Sequence, residues 1–123
     1  MTHVTGLGGV FFRAKDTKAV IQWYKDVLDI DIGGEAMLRQ EAGLTVYAPF
    51  EADTDYFGDR NQQFMINFRV SDLDGLIGKL RKKGVDVKTD PEWDVMPEIG
   101  KFARIHDPAG TPIELWEPGK DCV

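Results

Sequence analysis

Cysteine and histidine are scarce in this sequence, and the absences narrow the chemistry before any motif is read. One cysteine, Cys122, stands among 123 residues, so no internal disulfide staples the fold. Two histidines, His3 and His106, leave no second imidazole at a spacing that would match the first in a metal site. No apolar run approaches the ~20 residues of a membrane-spanning helix. Met1–Val10 lacks the basic-then-apolar pattern of a secretory leader, and a cytoplasmic protein is expected. Basic residues are outnumbered, 15 against 21, for a net charge of −6. Nucleic acid and anionic membranes demand clustered Lys and Arg, so neither is an expected partner. The one basic cluster, Lys79–Lys83, ends a predicted helix, where it complements the helix dipole.

What is present is enough for one core. A chain that is 42% hydrophobic and 29% charged reads as a single domain spanning 1–123. Val10–Ala14 reads as a strand, and Asp16 as the N-cap of a helix running to about Leu28, with Val20, Trp23, Tyr24, Val27 and Leu28 at helical spacing. Strands are predicted at Ile30–Ile32, Ala36–Gln40 and Leu44–Ala48, separated by Gly33-Gly34 and Gly43 and stopped by Pro49. The order then repeats. Phe64–Val70 is a predicted strand, and Asp72 caps a helix with Leu73, Leu76, Ile77 and Leu80 on one face and Gly84 at its end. Val85–Val87 is a short strand. Lys101–Pro118 is a hairpin turning at Asp107-Pro108-Ala109-Gly110.

The repetition holds residue by residue. Phe12-Arg13, Asp16 and Val20 recur as Phe68-Arg69, Asp72 and Leu76 under one constant shift, and Thr45–Pro49 recurs as Glu114–Pro118 under a slightly longer one. An internal duplication of this kind decides the expected architecture. It is an α+β fold of two tandem βαβββ modules, about 4–50 and 63–118, joined by a linker over 51–62. One helix covers one face of a small sheet, so the other faces of the two curved, mixed sheets would form a cleft. Alternation puts Gly9, Phe11, Arg13, Thr45, Tyr47, Met65, Asn67, Arg69, Glu114 and Trp116 on that cleft side.

With the paired modules, the DPAG turn followed by Ile113-Glu114-Leu115, the mid-chain Tyr56-Phe57-Gly58 and the run from Pro97 to Pro108, the chain resembles the vicinal oxygen chelate superfamily. That group includes glyoxalase I, the bleomycin-resistance proteins and the extradiol dioxygenases. The resemblance extends from Gly6 to Pro118. It implies a homodimer and four cleft positions where the metal enzymes carry His, Gln or Glu. Those positions correspond here to Gly9, Thr45, Met65 and Glu114, of which only Glu114 is a competent ligand for a divalent oxygen-and-nitrogen site. A catalytic zinc centre needs three protein ligands, so neither metal nor other cofactor is expected.

Three functional readings remain. The first is a small-molecule binding protein with Phe11, Tyr47, Trp93 and Trp116 as apolar walls, Tyr56 and Phe57 on a loop, and Glu114 as polar anchor. The second is a metal-free enzyme in which Glu114 is the catalytic acid or base, with Arg13 or Arg69 stabilising developing charge. The third is a metal-dependent lactoylglutathione lyase or dioxygenase. Against all three stand plainer roles: aromatics that fill the module interface, and a Glu114 paired with Arg104 or another cation. Two loops, Pro49–Gln63 and Asp90–Gly100, exceed ordinary turn length and are expected to cover the cleft.

Overall fold

Helices form where apolar spacing and caps agree. In the computed structural model, which describes residues 2–34, 37–120 and 122, helix α1 spans Thr17–Leu28, its N-cap Asp16 accepting from the Ala19 amide at 3.1 Å. It ends at Asp29, which takes the left-handed conformation while the Ile30 amide returns to the Tyr24 carbonyl. Helix α2 spans Leu73–Lys82, is capped by Asp72, and closes through Gly84 at φ +82 with the Val85 amide on the Leu80 carbonyl. That closure satisfies carbonyls the helix end would otherwise leave orphaned.

Among the described residues the sheet is mixed, open and three-stranded. Strands β1 (Ile66–Arg69), β2 (Gly100–His106) and β3 (Pro112–Pro118) stand in the order β1-β3-β2. β3 is the central strand, parallel to β1 and antiparallel to β2. The β2–β3 turn forms as predicted: Gly110 adopts φ +82, and its amide bonds the Asp107 carbonyl. Asp107 further organises the turn by accepting from the Ala109 and Thr111 amides, both at 2.9 Å. Beyond β2, the predicted Val85–Val87 strand does not form, and a single bridge, Lys88 to Arg104, stands just after it. The loop that follows contains a single 3-10 turn, Pro91–Asp94.

The core lies between the sheet and the two helices. Ala103, Ile105, Ile113 and Leu115 on one sheet face meet Leu73 and Leu80 of α2 and Val20 and Tyr24 of α1, all nearly inaccessible. Each fully buried large aliphatic side chain here contributes on the order of 1.5–3 kcal/mol. Tyr24 adds a polar tie: its hydroxyl donates to Asp107 Oδ2 at 2.7 Å, joining α1 to the β2–β3 turn.

The first half departs from expectation. Val10–Ala14, Ile30–Ile32 and Leu44–Ala48 form no hydrogen-bonded strands. Nor do the described residues of Ala36–Gln40, of which Ala36 itself lies outside those described. The physical reason is partnership: a strand exists only through a neighbour's ladder, and within the described residues these segments have none. Their side chains show the same thing, with Phe11, Tyr47, Val46 and Met37 between 65% and 95% exposed. Only Phe12, Ala14, Ile30 and Ile32 reach the edge of the core.

Candidate functional site

β3 carries Glu114 on the face opposite Ile113 and Leu115, as alternation requires. Register then sets its neighbours. Asn67 of β1 and Arg104 of β2 stand directly opposite Glu114 on either side, and Lys88 stands opposite Arg104, so one row of polar residues crosses the sheet. Asn67 uses that position: its Nδ2 donates to Glu114 Oε1 at 2.7 Å.

The second carboxylate oxygen is taken from outside the sheet. Tyr56, on the segment between the two halves of the chain, donates its hydroxyl to Glu114 Oε2 at 2.5 Å. Its ring stacks on Phe50, centroids 5.7 Å apart and planes 14° from parallel, and meets the edge of Trp93 at 6.5 Å. Phe57 packs on Phe50 at 5.0 Å. Trp93 is placed by its 3-10 turn, which Asp90 caps through the Glu92 amide and which Asp94 ties to β2 by accepting from the Phe102 amide.

Arg104 completes the cluster. The alternative pairing with Glu114 does not form; the guanidinium lies over the Tyr56 ring at 4.7 Å and faces Trp93 at 6.0 Å. Such cation–π contacts are worth about 0.5–2 kcal/mol, more as water is removed. Arg104 is 8% exposed. Its Nη2 donates to the Met65 sulfur, a weak acceptor, and its Nε is the one buried side-chain polar atom without a partner among the described residues. Burial, and then the hydrogen bond to Glu114, push the Tyr56 phenol up to about 12, against an opposing pull from Arg104. At neutral pH Tyr56 is thus a fixed donor to a carboxylate that accepts from two neutral groups.

The other residues expected at the site lie differently. Trp116 shares the face of Glu114 but is 4% exposed, with its Nε1 donating to the Ile99 carbonyl at 2.8 Å and its ring parallel to Phe102. Phe11 and Tyr47 stand on the exposed first-half segments, Phe11 bordering a shallow apolar groove beside α1 with Val10, Phe12 and Ile32. Thr45 and Gly9 are exposed, and Met65 is the thioether against Arg104. Arg69 turns back to the Leu44 and Glu41 carbonyls. Among the described residues no three His, Cys, Asp or Glu side chains gather. Asn67 and Arg104 were visible only as a face and a charge; their meeting at Glu114 follows from strand register, which no local pattern encodes.

A larger open groove of about 400 Å³ lies on the helix side, lined by Trp23, Val27, Lys83, Val85, Asp86 and His106. No unpartnered buried polar atom faces it among the described residues. The Glu114 cluster, with convergent polar groups and aromatic walls, is the better candidate.

Comparison with known proteins shows the same fold. No family profile and no curated protein matches the chain. Among solved structures it is similar to TnmS3, an antibiotic binding protein from Streptomyces sp. CB03234, with 23% identity, a TM-score of 0.54, and coverage of 95% of this chain and 100% of that one. It is also similar to a glyoxalase/bleomycin resistance protein from the same organism, with 24% identity, a TM-score of 0.48, and coverage of 85% and 93%. The first likeness bears out, as a likeness of fold, the resemblance read from the sequence; the second is too loose to add to it.

Proposed function

We propose that this protein binds a small organic molecule at the aromatic cluster around Glu114 and needs no family-type metal to do so. The observation that carries this reading is the gathering of Tyr56, Trp93 and Phe50 over a polar row in which Arg104 is buried without a carboxylate partner. Flat aromatic surfaces with few, fixed polar groups are what small-molecule sites use. The similar fold of an antibiotic binding protein supports a ligand of that general kind. Glu114 acts as an anchor rather than a base, because both its oxygens already accept hydrogen bonds and its partner phenol is held protonated.

The second part of the reading is assembly. The unpaired, apolar segments of the first half are the missing module, and a second copy of the chain supplies the edges they need, giving a homodimer. Sedimentation measured across a concentration series would show a dimer; a monomer throughout would overturn this part.

A thermal-shift screen of small organic molecules against the wild type and Glu114→Gln tests the site. A ligand that stabilises the wild type should lose affinity in the variant. Unchanged affinity with abolished turnover would make Glu114 catalytic instead, and near-stoichiometric zinc, nickel, manganese or iron in the purified protein would overturn the metal-free reading.

A further inference from the structure

We infer that the Tyr56 side chain is a built-in occupant of the ligand position, and that the molecule this site takes is a planar hydroxyarene that enters by displacing Tyr56 from Glu114. The inference rests on the binding reading above and specifies its ligand class.

Three features of the cluster support it. A phenol is already seated there: hydroxyl on Glu114 Oε2 at 2.5 Å, one face toward the Arg104 guanidinium at 4.7 Å, stacked on Phe50 and edged by Trp93. Glu114 and Asn67 are strand residues held in register, so the acceptor geometry belongs to the sheet and persists when the phenol leaves. The segment bearing Tyr56, in contrast, is closed on itself. Its backbone bonds run Thr54 to Glu51, Gly58 to Asp55 and Gln62 to Asp59, and the Tyr56 amide bonds Thr54 Oγ1. Among the described residues, its hydrogen bonding to the sheet runs through the Tyr56 hydroxyl.

The seated phenol also leaves the site's cation incompletely used. Arg104 is 8% exposed, yet the acceptor its Nη2 meets is a thioether sulfur and its Nε has none. A larger arene in the same slot would cover more of the guanidinium face than one phenol ring does. Because a self-occupied site lowers apparent affinity by the fraction of molecules in which the slot is open, removing Tyr56 should raise affinity rather than reduce it. An ordinary wall residue would do the opposite.

The experiment uses 2-naphthol as probe and 2-methoxynaphthalene, which has no hydroxyl donor, as its control. Affinities are measured by calorimetry for the wild type, Tyr56→Ala, Tyr56→Phe and the double variant Tyr56→Ala/Glu114→Gln, with amide NMR shifts locating the probe. Tyr56→Ala should bind 2-naphthol about tenfold more tightly than the wild type, or more, as expected for releasing a hydrogen bond to a charged group. Tyr56→Phe, which keeps the ring and the fold but frees Glu114, should show a smaller gain. 2-Methoxynaphthalene should bind every form more weakly than 2-naphthol does, because it donates nothing to Glu114, and the double variant should lose the difference between the two probes. Equal affinity of wild type and both Tyr56 variants, with shifts at Asn67, Arg104 and Glu114, would overturn the displacement while leaving the pocket as the binding site. Weaker binding by Tyr56→Ala, or none, would overturn it as well. Shifts confined to the Phe11 groove would overturn the site itself.

Discussion

Replacing Tyr24 by Phe removes one atom and isolates one interaction. The Tyr24 ring packs edge-on against Trp23 at 5.0 Å and Phe68 at 6.4 Å, and phenylalanine keeps both contacts. What disappears is the hydroxyl that donates to Asp107 Oδ2, leaving that oxygen without its donor in a residue only 5% exposed. Leaving a buried carboxylate oxygen unsatisfied costs roughly 1.5–3 kcal/mol. Scaled by the unfolding entropy of a domain this size, that lowers Tm by roughly 6–12 °C. Thermal and urea melts followed by circular dichroism would measure it, with the urea m-value unchanged because the buried surface is unchanged. The alkaline limb gives an independent sign. Burial first, and then Asp107, raise the Tyr24 phenol well above its ordinary value, so the folded chain keeps a proton that the unfolded chain releases near pH ~10. The stability this represents is complete below about pH 10 and falls as pH rises beyond it. Phe lacks this titration, so the gap between wild type and variant should narrow on the alkaline side. A Tm loss under about 2 °C, or a gap that widens above pH ~10, would refute the reasoning.

Three further outcomes are expected. Burial, then the positive Arg104 and Lys88, lower the His106 imidazole against the opposing pull of Asp86 and Asp107, so the folded chain resists a proton that the unfolded chain accepts near pH ~6.5. Stability is therefore lost as pH falls below that value, and His106→Gln should flatten this part of the acid limb in denaturation curves. Gly100 adopts φ +128, and a Cβ there would lie 2.1 Å from the Glu117 carbonyl oxygen. Gly100→Ala should cost about 3 kcal/mol or more, read as a shifted urea midpoint. Asp72 caps α2 through the Gly75 amide, and Asp72→Ala should cost about 1 kcal/mol in the same assay.

The features readable from sequence are those that local chemistry determines. Asp16 and Asp72 announce their helices because a carboxylate before an apolar-periodic run satisfies free amides. Asp107-Pro108-Ala109-Gly110 announces the β2–β3 turn because proline and glycine preset its dihedrals. The first-half strands have equally good local patterns, yet Val10–Ala14 and Leu44–Ala48 form no ladder, since pairing depends on an edge that periodicity does not supply. Glu114 stood out as a carboxylate between Ile113 and Leu115. Tyr56 was recognisable only as a loop aromatic, because the contact that gives it meaning lies 58 positions away. Arg104 looked like an ion-pair partner for Glu114 on charge alone, and the structure instead lays its guanidinium on a ring.

The row Asn67, Glu114, Arg104, Lys88 has a consequence for how such a protein can change over generations. Its members sit on the sheet face turned away from the buried Ala103, Ile105, Ile113 and Leu115. Under the binding reading proposed above, substitutions in the row would alter what the surface recognises, while the residues that drive collapse stay untouched behind it. On that reading the same three strands would keep two separate inheritances, one for folding and one for selectivity, and the second could drift to new ligands without endangering the first.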